Sequence, residues 1–269
     1  MTDARALEAA GLPARFDRPG MLAFLLWVAA LALVVSSFNG VGFSAAEFVK
    51  GLPQMGRFAA GLFPPSLDRI EPVLWSLLET FQMAIAGTVI GVILSVPFAI
   101  LSARRLSPHP VVQWLARALV SLFRTVPDLI WALFFVVTVG LGPFAGTLAL
   151  IVDTVGFCGR FFAEAMEEAD RGPQEALSAL GARKGAIIAC AVLPAALPSM
   201  IATSLFSLEK ATRSSVVLGL VGAGGIGMEL EVALTFFNYP EAATIILAIF
   251  VLVLIVEQLS GMFRRRIIT

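Results

Sequence analysis

Six long apolar runs, near 21–38, 73–102, 126–141, 143–166, 192–211 and 240–263, dominate the chain. At a helical rise of 1.5 Å per residue, about 20 apolar residues cross the hydrocarbon core of a bilayer. The runs therefore predict an all-α polytopic membrane protein with about six transmembrane helices. Only 14% of the 269 residues are charged, where a soluble domain carries about 25%. The expected organisation is a cytoplasmic segment 1–20, an N-terminal anchor 21–38, an external loop 39–71 and a five-helix core within 72–265. The external loop is expected to be ordered, with a short helix near 44–61. The first run is longer than a signal-peptide core and reads as an uncleaved anchor; the alternative is a signal cleaved among Ser36, Ser37 and Ala45-Ala46.

Two details refine the count. The third run is short and joins the fourth through Gly140-Leu141-Gly142-Pro143, a tight external turn. Before it, residues 111–124 set Trp114, Leu115, Leu119, Leu122 and Phe123 against Arg117 and Arg124. That pattern predicts an amphipathic helix lying at the membrane interface.

Basic residues near span ends mark the cytoplasmic side. Arg5, Arg15, Arg18, Arg104-Arg105, Arg117, Arg124, Arg171, Arg183, Lys184 and Arg264-Arg265-Arg266 all fall on one side. Lys50, Arg57 and Arg69 decorate the other, interleaved with Glu47, Asp68 and Glu71. Both termini are expected to be cytoplasmic, in the plasma membrane of a prokaryote.

The zero net charge and lack of a basic block argue against nucleic acid as a partner; membrane lipid is the expected surround. Cys158 and Cys190 lie in apolar stretches without CxxC spacing or a nearby His, and read as small core residues rather than metal ligands. His109, the single histidine, lies between Pro108 and Pro110 as a loop residue. No catalytic or metal cluster is expected. Gly222-Ala223-Gly224-Gly225-Ile226-Gly227 fits GxGxxG, with Glu241 downstream, but it joins two spans instead of following a strand. The reading is a glycine-rich turn near the outer mouth of a pathway, where Gly222, Gly224, Gly225 and Gly227 let helices approach closely.

Ionisable residues inside spans are costly and tend to face the protein interior. Asp153 and Arg160 lie seven residues apart and share a face; Glu209 and Arg213, four apart at the outer end of the fifth span, can pair along the helix. Two readings stay open. Arg213, and next Arg160, could offer a guanidinium to a passing oxyanion; alternatively, both pairs are internal ion pairs that fix helix rotation. Lys210 is expected to snorkel outward.

Between the fourth and fifth runs lies Gly172-Pro173-Gln174-Glu175-Ala176-Leu177-Ser178-Ala179-Leu180-Gly181-Ala182-Arg183-Lys184, and Leu193-Pro194 opens the next run. Pro173 suits a first helical position, Gln174 and Glu175 a first turn, and Gly181 a reversal. A short helix, a turn and a second short helix are expected, with Leu177, Leu180 and Ala182 on the face a partner covers and Glu175 and Arg183 at its rim. This segment resembles the EAA loop of ATP-binding-cassette importer permeases: Glu175-Ala176-Leu177, Gly181, then Ala191-Val192-Leu193-Pro194, with Leu177 and Ala191 departing from the usual Ala and Ile.

Further stretches are similar to phosphonate-importer permeases: Leu78-Glu79-Thr80-Phe81-Gln82, Arg124-Thr125-Val126-Pro127-Asp128-Leu129 and Val217-Leu218-Gly219-Leu220-Val221-Gly222. The resemblance implies the type I importer permease fold, shared with the methionine-importer permease. It implies a homodimer docked through the 172–194 loop on a nucleotide-binding ATPase subunit that holds ATP and Mg, since the chain has no GxxxxGK[ST] of its own. It also implies an external or periplasmic phosphonate-binding protein that delivers substrate. Phosphite or methionine are the alternative cargoes. An ion-coupled secondary transporter is the reading from another class, and neither two related halves nor a proton relay supports it.

Overall fold

The computed structural model describes residues 20–42 and 44–268. Arg5, Arg15 and Arg18, and with them most of the expected cytoplasmic segment 1–20, lie outside the described residues. Among those described, every regular element is helical. The chain divides into two compact units, one up to Arg57 and one from Phe58 onward.

The first unit is built around α1 (Met21–Gly40), whose 20 residues bury no side chain. An apolar helix of that length, about 30 Å, is long enough to cross the hydrocarbon core of a bilayer. The helix α2 (Ala45–Gly61) begins in the same unit and carries Pro53 within it, close to the short helix expected in the external loop.

The second unit contains α3 (Ile70–Ser102), α4 (Pro110–Thr125), α5 (Asp128–Val139), α6 (Pro143–Glu168), α7 (Arg171–Ala179), α8 (Lys184–Gly219), α9 (Ile226–Thr235) and α10 (Tyr239–Ile268). Counting α1, five helices are long and apolar enough to cross a membrane, or six if the bent pair α4–α5 counts as one span. The central helix is α6, which packs on α3, α4, α5 and α8. Small residues make this closeness possible. A Cβ on Gly87 of α3 would lie 2.6 Å from the Leu150 side chain, and one on Gly91 would lie 2.5 Å from Thr154.

Three apolar clusters succeed one another along α3. Ala99, Ala103, Cys158, Phe162, Met166, Val192 and Met200 form the one at the arginine-rich end. Met83, Ala84, Leu150, Ala211 and Leu218 form the middle; Val73, Ile226, Ala233, Ala242 and Ile245 form the third, around α9.

The amphipathic stretch is helical as expected, and its end has a clear cause. Pro127 disfavours helical backbone at the residue before it, and Val126 is extended at φ −76°, ψ 122°. The chain turns by 91° between α4 and α5. Phe123 locks the corner by meeting Phe98 and Trp131 edge-on, with ring centroids 6.4 and 5.9 Å apart. The corner rests on Gly156 of α6, where a Cβ would fall 2.7 Å from the Arg124 backbone nitrogen.

Several expectations need correction. The fifth run extends well beyond 192–211: α8 has 36 residues, and the second short helix expected after the glycine turn, Lys184–Ile187, is its first stretch, continued through a π-turn. Pro194 is the second residue of the α-helical stretch Leu193–Gly219, within the continuous run of α8. The π-turn Ile188–Val192 immediately precedes it, and the Leu193 amide bonds Ile188 O five residues back. Widening the helix there relieves the clash a proline ring makes with the carbonyl four residues earlier. Cys158 is buried as expected, but Cys190 is exposed on this π-turn. His109 is a helix cap, its Nδ1 accepting from the Val111 amide at 3.2 Å.

Candidate coupling site and polar interior

The segment 170–184 forms a helical hairpin at the arginine-rich end. It starts earlier than the sequence suggests: Asp170 is the N-cap, its carboxylate accepting from the Gly172 amide at 3.2 Å. Pro173 is then the third helical residue, and Glu175 lies beyond the first turn, which holds no acidic residue. An Asp two residues before Gly-Pro-Gln was the available signal, since Asp is among the strongest caps. The Gln174 side chain reaches back to the carbonyls of Ala169 and Asp170, at 3.2 and 2.9 Å.

The other end of α7 is closed by a Schellman motif. The Ala182 amide bonds Leu177 O and the Gly181 amide bonds Ser178 O, both at 3.0 Å. Gly181 has φ +77°, and a Cβ there would meet nothing. Leu177 and Ala182 are half-buried, whereas Glu175, Ala176 and Arg183 are exposed. Leu180 stands 84% exposed at the tip, an apolar side chain held out by the backbone.

Behind the hairpin the chain enters the core directly. Lys184 donates to Ser107 O at 2.9 Å, fixing the base of α8 to the loop between α3 and α4. Val192 is fully buried, and Ile188 and Leu193 pack against the same apolar cluster. A rigid run of helix thus leads from the exposed tip to the middle of the bundle.

The polar residues inside the bundle pair differently from expectation. Asp153 does not meet Arg160; it accepts two bonds from Lys210 Nζ, at 2.7 and 2.8 Å. Lys210 therefore points inward, and lies 5.3 Å from the centre of the Phe157 ring. Arg160 pairs along its own helix with Glu164 at 2.8 Å. Glu209, 7% exposed, accepts from Arg264 of α10 at 2.6 Å instead of pairing with Arg213. It lies mid-helix, because α8 continues to Gly219. Arg213 is exposed and, among the described residues, has no hydrogen bond or ion pair. Asp153 and Lys210, and likewise Glu209 and Arg264, are more than 50 residues apart in the chain, beyond the reach of helical spacing.

The glycine-rich turn Gly222–Gly227 interlocks with its neighbours at the opposite end. Gly222, Gly224 and Gly225 have φ of +86°, +86° and +73°. A Cβ on Gly224 would fall 2.6 Å from the Pro143 nitrogen; one on Gly227 would strike Val216 O. The Ile226 amide bonds Thr80 Oγ1 at 2.7 Å, and the Gly142 amide bonds Gly222 O at 2.9 Å. Glu241, far from any nucleotide geometry, pairs with Arg69 at 2.7 Å. Among the described residues no group of His, Cys, Asp and Glu could hold a metal ion.

Comparison with known proteins places this architecture. The family described as "Binding-protein-dependent transport system inner membrane component" matches residues 95–269. The phosphate-import permease protein PhnE of Mycolicibacterium smegmatis is 37% identical over 255 residues, covering 94% of this chain. The chain spans 47% of that relative's length. The phosphite transport system permease protein PtxC of Stutzerimonas stutzeri is 40% identical over 221 residues, covering 82% of this chain and 80% of that one. Among solved structures, a chain of the inward-facing MetNI methionine ABC transporter superposes with a TM-score of 0.63 at 25% identity, covering 73% of this chain and 98% of that one. The chain belongs to the family of binding-protein-dependent transport system inner membrane components.

Proposed function

We propose that this chain is the transmembrane permease subunit of an ATP-binding-cassette importer that moves phosphonates into the cytoplasm. The single observation that carries the coupling role is the hairpin: an apolar tip, Leu180, bare at the arginine-rich end and joined through one continuous helix to the bundle core. Exposed leucine at such a tip is unfavourable in water, and a partner's cleft that covers it removes the cost. The arginine-rich end is the cytoplasmic one by the distribution of basic residues, the side on which ATP is available. The partner is a nucleotide-binding subunit carrying ATP and Mg; a second copy of this chain and an external phosphonate-binding protein complete the assembly.

In this mechanism, closure of two ATPase subunits moves their clefts and carries α7 with them. Because Val192 and Leu193 are packed in the core, α8 follows as a lever, and its displacement changes access at the glycine-rich end. Nucleotide on one side and loaded binding protein on the other bias the same two-state element, which is coupling in the thermodynamic sense.

The cargo reading draws on relatives named for phosphate import and phosphite transport, anions that share with phosphonates a tetrahedral phosphorus. Arginine matches that geometry. The test is growth and uptake in a deletion strain given methylphosphonate, phosphite or phosphate as sole phosphorus source. Restoration of phosphonate uptake by the wild-type chain is the expected result; restoration of phosphite uptake alone would reassign the cargo, and restoration of neither would end the reading.

A further inference from the structure

The molecule holds a further polar feature besides the hairpin and the interior ion pairs. A cavity of about 600 Å³ opens between α3, α4 and α6 at the arginine-rich end. Its lining includes Arg104, Arg117, Arg124 and Arg160, against the two acids Glu164 and Glu167. Two of the four cations are committed. Arg117 donates to Ser102 O at 2.8 Å and to Glu167 at 2.7 Å, while Arg160 donates to Glu164. Glu167 is further occupied by the Arg104 backbone amide at 2.7 Å.

Arg104 and Arg124 are left without a carboxylate among the described residues. The Arg124 guanidinium lies over the Phe161 ring, 5.9 Å from its centre, which holds it in place without neutralising it. A different kind of observation points the same way: Ser102, which also lines the cavity, is 3% exposed and its Oγ has no hydrogen-bond partner. A buried hydroxyl without a partner is uncommon and calls for one. Two uncompensated guanidiniums and a hydroxyl free to donate line a space larger than a phosphate group.

We propose that this cavity binds a tetrahedral phosphorus oxyanion at the cytoplasmic end of the permease, with Arg124 and Arg104 neutralising it and Ser102 Oγ donating to one oxygen. Guanidinium forks suit such an anion because two parallel N–H groups meet two oxygens. Two sources present the same chemistry: free phosphate or phosphonate on the cytoplasmic side, or the headgroup of an anionic lipid. The free-anion source rests on the phosphorus-oxyanion cargo proposed above. Occupancy by imported anion would let accumulated cargo act back on the permease.

The experiment uses the full chain in nanodiscs of zwitterionic lipid, titrated calorimetrically with methylphosphonate and with inorganic phosphate. Saturable binding at one site per chain is expected, weakened at least tenfold by Arg124→Gln and by Arg104→Gln, and about threefold by Ser102→Ala. Arg57→Gln, on α2 and outside the cavity lining, should leave it unchanged. Arg104 lies in a surface loop, so its variant keeps the test decisive if Arg124→Gln folds poorly. Binding of neither free anion nor phosphatidylglycerol, or wild-type affinity in both arginine variants, would overturn the proposal. In nanodiscs containing phosphatidylglycerol, lipid binding lost in the same variants without binding of free anion would support the site and assign it to headgroups. Phosphonate uptake by cells is scored separately. A chain that binds methylphosphonate through Arg124 yet restores no uptake would contradict the transport reading and leave the site standing.

Discussion

The two turns that bracket α8 share one backbone device and differ in everything around it. Gly181 directly follows the helix cap Leu180 and Gly222 lies two residues beyond the cap Leu220, both at positive φ, and each closes the same pair of hydrogen bonds: Ala182 to Leu177 and Gly181 to Ser178 at one end, Ala223 to Leu218 and Gly222 to Gly219 at the other. Around Gly181 a Cβ would meet nothing, and Leu180 beside it is bare. Around Gly222 a Cβ would strike Leu141, and the following glycines touch Pro143, Thr80 and Val216. The outer turn is finished within this chain. The inner turn is a complete fold element with an unfinished surface, which is what an interface for another protein requires.

The largest expected effect breaks the packed side of that comparison. Gly224→Ala puts a Cβ against the Pro143 backbone at 2.6 Å and at φ +86°, combining left-handed strain with overpacking that a rigid neighbour cannot relieve. The sum, on the order of 3 kcal/mol or more, should appear as loss of a monodisperse folded peak in fluorescence-detected size exclusion. Lys210→Met comes next, because it leaves Asp153 charged and unpaired. Breaking a buried pair costs about 3–5 kcal/mol, and with Lys210 itself a third exposed about 2 kcal/mol is expected, read as a lower melting temperature. Adding Asp153→Asn should recover most of that loss.

The exposed side should respond weakly in stability. Gly181→Ala meets no neighbour, so only left-handed strain of about 1 kcal/mol remains, measured by the same melting assay; a loss comparable to that of Gly224→Ala would show the two turns to be alike. Smallest is Glu164→Gln. Its pair with Arg160 is half-exposed on both sides, and pairs of this kind contribute about 0.3–0.5 kcal/mol, so the melting temperature should barely move.

The apolar runs made the helices legible because a membrane demands long uninterrupted hydrophobic stretches. They failed where polar residues belong to the same helix. The fifth run stopped at 211 because Glu209, Lys210 and Arg213 crowd its end, although α8 continues to Gly219. Glu209 and Lys210 are tolerated through partners on other helices, Arg264 and Asp153, and no helical spacing announces a partner on another helix. The hairpin was visible as a glycine between short polar stretches, but its start was not, because Pro173 drew attention from the Asp170 cap. The cavity at Arg124 was invisible, since it exists only where the corner after α4 meets Gly156 and α6.

The central claim is that an exposed cytoplasmic hairpin transmits ATPase motion into this bundle. Its most direct test is the ATPase rate of the reconstituted complex, with and without loaded binding protein, for the wild-type chain and for Leu180→Asp. At 84% exposure the substitution should leave the melting temperature of the isolated permease unchanged while abolishing most of the substrate-dependent increase in rate. Full stimulation in the variant would contradict the account.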